Sequence, residues 1–290
     1  MNESWREVGE GVLVRRHESF DLNVGLVLGP AACLVIDTRA TEAEGHDLAD
    51  AVRAVTSLPW IALNTHAHYD HCFGNAAFRP APVWAHRRCR ERLAEYGEVQ
   101  RLVVAATSRQ DGRDAFAADI EATPIDLPDR LVDDAAADLD VGGRRVVLRW
   151  LGRAHTDNDV VVEVPDAGVV FAGDLVEEGA PPAFGDSFPL DWPGTLDALR
   201  ALVTGPVVPG HGDVVDEAFV EAQRAELAAT AGAARAAFAD GRGVEAALGA
   251  VPFPPDFARE ALTRAYRQLR GDPAYDGPAD VYRRLGLEPA

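Results

Sequence analysis

The chain contains no lysine: all 28 basic residues among its 290 are arginine. That absence excludes Schiff-base chemistry and a Walker-type phosphate loop, both of which need the lysine amine. Any anionic group on a substrate must therefore be met by arginine, by backbone amides or by a metal ion. Cysteine is scarce as well. Cys33, Cys72 and Cys89 are too few for a disulfide framework and fit a reducing cytoplasm. No apolar run is long enough to cross a membrane, and Met1 to Arg6 lacks the basic region and apolar core of a signal peptide, so a soluble, cytoplasmic chain is expected. Basic residues are also too few to balance 47 acidic ones, and the net charge of −19 argues against nucleic acid as the principal partner, because counterion release would add nothing to affinity. Repeats, heptads and low-complexity linkers are absent.

The stretch Asn64-Thr65-His66-Ala67-His68-Tyr69-Asp70-His71 places three histidines and a carboxylate within six positions. Imidazole and carboxylate at this density read as a transition-metal site rather than a surface loop. The run Trp60-Ile61-Ala62-Leu63 after Pro59 suits a short buried strand. If the extended backbone persists past Thr65, His66 and His68 project to one side and can grip one ion. Asp70 and His71, as neighbours beyond a turn, are better placed to meet a second.

Three later residues hang from the ends of strand-like runs. His155 follows Val146 to Leu151, Asp174 follows Gly168 to Gly173, and His211 follows Pro206 to Gly210. Functional side chains on loops held by a rigid sheet are an expected arrangement. Each is a weak signal alone, and together with the first cluster they form a set.

At this point the chain resembles a metallo-β-lactamase-fold hydrolase. His66-Ala67-His68-Tyr69-Asp70-His71 matches the H-x-H-x-D-H motif, with Gly74-Asn75 behind it. Ala154-His155-Thr156, Ala172-Gly173-Asp174 and Pro209-Gly210-His211-Gly212 match the three later motifs in order, and the strand end Leu34 to Thr38 also fits. The resemblance covers roughly residues 8 to 216. It implies an α/β (α+β) fold, a four-layer αβ/βα sandwich of two mixed sheets with metals at one edge. It further implies that His66, His68 and His155 bind one ion, that Asp70, His71 and His211 bind the other, and that Asp174 bridges them. An aspartate at 174, where many β-lactamases have cysteine, counts against a dedicated β-lactamase. The missing lysine is one that several β-lactamases and glyoxalase II enzymes use to hold a substrate anion.

The chemistry expected of such a centre is hydrolysis. Two divalent ions lower the pKa of a shared water to about neutral, so that a bridging hydroxide can attack an ester, thioester, lactone or amide of a small molecule. Asp70 is the candidate to orient the nucleophile and pass a proton to the leaving group. Asp37 and Thr156 are candidates to fix a ligand imidazole through its other nitrogen, with ordinary turn hydrogen bonding the alternative. All seven donors are nitrogen or oxygen, which suits zinc and also iron, manganese or cobalt. Competing readings are a mononuclear iron oxidoreductase like the sulfur dioxygenases of this superfamily, a glyoxalase II-like thioesterase, and a non-catalytic metal-binding protein.

The expected organisation is a catalytic domain over residues 1–216 and a helical extension over 217–290, packed on the same domain, capping the site or forming a homodimer contact. Strands are expected at Gly11 to Arg15, Asn23 to Leu28 and Cys33 to Ile36, a helix over Glu44 to Val55, and a Gly142-Gly143 hairpin. Residues 86 to 121 are helix-prone and expected to cover a sheet face or form a flap. Cys72 is expected to pack inward rather than bind metal. In the segment Glu177 to Trp192, Phe184, Phe188 and Trp192 either line an apolar pocket, with Asp186 and Ser187 giving orientation, or plug the core. Arg153 is the nearest arginine to His155 in sequence, with a solvated surface role as the alternative.

Overall fold

The computed structural model describes residues 4–276. A seven-stranded sheet runs in sequence order: β1 (Arg6–Gly9), β2 (Val12–Arg16), β3 (Asn23–Leu28), β4 (Cys33–Ile36), β5 (Trp60–Leu63), β6 (Val83–His86) and β7 (Arg130–Val132). Its first four strands pair antiparallel and the remainder parallel. A five-stranded sheet has the order β12-β11-β10-β9-β8, from β8 (Ala137–Asp140), β9 (Arg145–Trp150), β10 (Val160–Val164), β11 (Val169–Glu177) and β12 (Val207–His211). Only β11 and β12 are parallel there. The hairpin at Gly142-Gly143 joins β8 to β9, and both glycines adopt positive φ as that turn requires.

Strand alternation sets the layers. Leu34 and Ile36 point into the space between the sheets with Leu148, Val162 and Phe171, while Cys33 and Val35 point outward. Onto that outer face packs α1 (Glu42–Val55) through Leu48 and Val52. It begins two residues earlier than its apolar spacing suggests because Thr41 Oγ1 caps it, accepting from Glu44 N at 3.0 Å. The short α2 (Tyr69–Cys72) leads to α3 (Arg87–Gln110) and α4 (Asp114–Ala122), which pack through Cys89, Leu93, Ala117 and Ile120 beside Ala67 and Phe73. On the other side Val161, Val170 and Ala172 meet α5 (Trp192–Arg200), α6 (Glu217–Ala239) and α7 (Pro255–Arg270) through Leu196, Val220, Leu227 and Ala261. The result is the four-layer αβ/βα sandwich. The helices of the expected extension share the core of the second sheet, and residues 277–290 of that extension lie outside the described residues. No helix among the described residues is long and apolar enough to cross a membrane.

Two strand ends differ from expectation. Asp174 lies within β11, which continues to Glu177, and His211 is the last residue of β12 rather than a loop residue. The register between β11 and β12 shifts around Gly173, whose φ is +53°. That bulge turns the backbone without ending the strand, so Asp174 is aimed from the sheet itself.

Candidate metal centre

The carboxyl ends of β4 and β5 lie side by side, with Ile36 opposite Leu63, so Asp37, one residue on, meets Thr65, two residues on. Asp37 accepts from Thr65 N at 2.7 Å and from Thr65 Oγ1 at 2.9 Å. It holds this pose with a left-handed φ of +67°, an unusual backbone for a non-glycine residue at a functional edge. From this anchored end the chain delivers His66 and His68, while α2 presents Asp70 and His71. His155 arrives from the loop after β9, and Asp174 and His211 from the parallel pair β11 and β12.

These side chains form two adjoining groups. His66, His68, His155 and Asp174 bring ligand atoms within 4.8 Å of one another, and so do Asp70, His71 and His211. Asp174 stands between them: its Oδ2 is 3.6 Å from His66 Nε2 and 3.4 Å from both His155 Nε2 and His211 Nε2, and its Oδ1 is 3.2 Å from His71 Nε2. Asp70 Oδ2 is 3.6 Å from Nε2 of both His71 and His211. All seven expected ligands are thus assembled at one place.

The hydrogen bonds fix which ring nitrogens face inward. Thr65 Oγ1 gives its proton to Asp37 and so accepts from His66 Nδ1 at 3.1 Å. His71 Nδ1 donates to Asp37 Oδ2 at 2.8 Å, His68 Nε2 to Asp186 Oδ1 at 3.0 Å, and His211 Nδ1 to the carbonyl of Phe20 at 2.7 Å. In this arrangement the remaining nitrogens of these rings turn toward the centre, where they can offer lone pairs to a bound cation. His68 Nδ1 lies 3.0 Å from His66 Nε2 and 2.9 Å from His155 Nε2, and the Nε2 atoms of His71 and His211 are 3.4 Å apart. Acceptors this close repel unless a cation lies among them, and the buried Asp174 Oδ1 has no hydrogen-bond donor. The donor set fits divalent metal. Burial first, and the neighbouring rings after it, depress the basicity of His66, and burial against the pull of Asp174 brings His155 down to about 4, which keeps both as neutral donors. Burial opposes ionisation of Asp174, yet His71, His211, His66 and His155 hold its carboxyl well below the usual carboxylate range.

Other expectations resolve as follows. Asp37 does fix a ligand imidazole. Thr156 does not: its hydroxyl donates to Asp159 at 2.9 Å and its amide to the same carboxylate at 2.7 Å, closing its own turn. Phe184, Phe188 and Trp192 are buried in the core, and the indole of Trp192 donates to Leu175 O at 3.1 Å, so they plug rather than line. Ser187 is buried with its hydroxyl on Phe184 O, whereas Asp186 lines the cavity and holds His68. Arg153 is half-exposed and paired with Asp191 at 2.6 Å. Cys72 is buried, with its thiol donating to His68 O.

Two participants were not foreseen. Phe20, at φ +63°, offers its carbonyl to His211 because Arg16 clamps the adjacent Asp21 at 2.5 Å and Asp213 at 2.5 Å. Glu177 is buried with Oε1 3.9 Å from His155 Nδ1, and burial followed by the charge of Asp174 raises its carboxyl to about 8. Within the segment expected to cover a sheet or form a flap, α3 packs in the core and also lines a cavity of about 440 Å³ above the centre with Tyr96, Val99, Val103 and Val104. Their i, i+3, i+7, i+8 spacing was the signal available for them.

The family model described as the metallo-beta-lactamase superfamily matches residues 20–211. A metallo-beta-lactamase type 2 of Bacteroides fragilis is 31% identical over 77 residues, 25% of this chain and 31% of that protein, so the match spans less than a third of that relative's length. A solved metallo-beta-lactamase from Pontibacter korlensis superposes with a TM-score of 0.61 at 18% identity, over 78% of this chain and 98% of that one. A double mutant of the sec-alkyl sulfatase PisA1 gives a TM-score of 0.75 at 15% identity, over 96% of this chain and 52% of that one. At such identities these two structural likenesses are likenesses of fold.

Proposed function

This chain belongs to the metallo-beta-lactamase superfamily, and from that premise we propose that it is a dinuclear metal-dependent hydrolase of a small-molecule ester, thioester, lactone or amide. The observation that carries the reading is the position of Asp174, within 3.6 Å of a ring nitrogen of His66, His155, His71 and His211, at the junction of the two groups. In this reading His66, His68 and His155 hold one ion, Asp70, His71 and His211 the other, and Asp174 serves both. Zinc suits the all-nitrogen-and-oxygen set, and iron or manganese is chemically compatible with it. When bound, two such ions supply water activation and polarisation of the scissile carbonyl.

The protein's own groups do the rest. Asp37, Asp186, Thr65 and the Phe20 carbonyl hold the imidazoles in one tautomer and orientation, so their donor atoms need no rearrangement. Asp70 lies at the cavity floor, where its free carboxylate oxygen can orient the attacking water and carry its proton toward the leaving group. The apolar α3 wall excludes bulk water. Three buried free cysteines support a cytoplasmic location.

Asp70→Ala tests the assignment on a panel of esters, thioesters, lactones, amides, β-lactams and phosphodiesters. The reading expects kcat to fall by about a hundredfold or more on every substrate the parent protein hydrolyses. Unchanged turnover would remove Asp70 from the reaction, and turnover of phosphodiesters alone would overturn acyl transfer.

A further inference from the structure

The cavity over the metal centre is unequal in its two sides. Its floor is His68, Asp70, Asp174 and His211, whereas the facing wall is a stripe of α3: Tyr96, Val99, Val103 and Val104. Val103 and Val104 are half-buried, although a helix ordinarily turns such a stripe to the core. Cys89 and Leu93, on the same face of α3, pack into the core, and Val104 packs partly against it; from Tyr96 onward that face passes over the cavity. From Tyr96 to Val103 the stripe runs about 10 Å along the helix, the length of an octyl-sized chain.

The charged groups around the cavity are of one kind or already engaged. Asp70, Asp174, Glu177 and Asp186 all border it, and none of these carboxyl groups can pair with an anion. Its one arginine among the described residues, Arg92, has its guanidinium stacked 3.5 Å from the Tyr96 ring and 3.7 Å from that of Tyr275, and it stands 3.8 Å from Asp186. Gln100 spends its amide on Ala67 O at 2.9 Å. Arg92 Nη1, beside Asp186, is buried without a hydrogen-bond partner, whereas the stripe of Val99, Val103 and Val104 carries no group to receive a carboxylate, sulfate or phosphate.

We propose that Val99, Val103 and Val104 are specificity-determining residues that select a substrate bearing an uncharged aliphatic chain, laid along α3 with its scissile bond over His68 and Asp174. This assignment rests on the hydrolase reading for its chemistry, and on the cavity alone for its binding. The chain can belong to the acyl side or to the alcohol side of the bond, and the test separates the two.

The metal-loaded protein is assayed on 4-nitrophenyl esters of acetate, butyrate, pentanoate and octanoate, on ethyl and octyl acetate, and on the 4-nitrophenyl monoester of glutarate. The expected result is a kcat/KM that rises by about tenfold for each pair of methylenes accommodated, carried by KM, with pentanoate preferred over its anionic glutarate counterpart. A rise along the 4-nitrophenyl series assigns the acyl side; a preference for octyl acetate over ethyl acetate with no such rise assigns the alcohol side. Val103→Trp, on the half-buried part of the wall, is expected to cut the long-chain over short-chain ratio by tenfold or more, and Val103→Ala to move the optimum to longer chains. Rates independent of chain length on both sides, an unaltered ratio in Val103→Trp, or preference for the glutarate monoester would overturn the proposal. Should the parent protein hydrolyse none of these esters, the ester-hydrolase reading fails separately, and calorimetric titration with octanamide decides the cavity. Binding that Val103→Trp abolishes supports the assignment; absent or equal binding overturns it.

Discussion

His71 donates its Nδ1 proton to Asp37 Oδ2 across 2.8 Å, and the same carboxylate takes the amide and hydroxyl of Thr65. One buried aspartate therefore orients ligands of both groups, His71 directly and His66 through the Thr65 hydroxyl. Asp37→Ala is expected to weaken metal binding at the Asp70, His71 and His211 group by about ten- to a hundredfold, with a smaller loss at the other group. Competition against a chromogenic chelator, read as two dissociation steps, checks this. Equal loss at both groups would assign Asp37 a merely structural part.

Asp186 gives the complementary case. Its carboxylate holds His68 Nε2 at 3.0 Å, and burial resists its ionisation while His68 favours it strongly enough to take its pKa below the usual carboxylate range. Asp186→Ala is expected to loosen the ion held by His66, His68 and His155 by about tenfold or more and to leave the His71 and His211 group close to the parent. Cobalt substitution makes the difference visible in the d–d absorption of the perturbed group.

Gly210 is a steric prediction. A Cβ there would overlap Asp174 Oδ1, so Gly210→Ala displaces the carboxylate that serves both groups. Metal stoichiometry should fall while the far-ultraviolet circular dichroism is kept. Gly74→Ala makes the contrast, because its Cβ would overlap the Thr38 carbonyl inside the fold. Denaturant unfolding should show a loss of roughly 2 kcal/mol or more.

Removing metal should also cost stability. Without a cation the facing nitrogen atoms of His66, His68 and His155, 3.0 and 2.9 Å apart, must take up a proton or separate in a buried site. A strong chelator is expected to lower the melting temperature by several degrees, and added zinc to restore it in a concentration-dependent way. A melting temperature indifferent to both would mean that the centre does not bind metal in the folded state.

Much of the site was legible in the sequence for physical reasons. His66, His68, Asp70 and His71 lie in one local segment, and the period of a strand and the turn of α2 place their side chains within short range. His155, Asp174 and His211 could be read because each ends or interrupts an apolar strand. What holds these ligands was harder to read. His68 and Asp186 are 118 residues apart, and His211 and Phe20 are 191 apart, so nothing local links them. The bulge at Gly173 extended β11 past Asp174, which an apolar run ending in glycine did not reveal. Phe184 and Trp192 could equally have faced substrate or core; only the packing against Leu175 and Phe253 decides for the core. In α3 the stripe was visible as a pattern, but not the fact that it faces a cavity.

The central claim is a two-ion hydrolytic centre, and titration of metal-free protein with zinc tests it most directly, with bound metal and ester hydrolysis followed together. The account predicts saturation at two ions per chain, activity that completes with the second, and saturation at one ion in His211→Ala. Full activity at a single bound ion, with no second site filled at higher zinc, would contradict it.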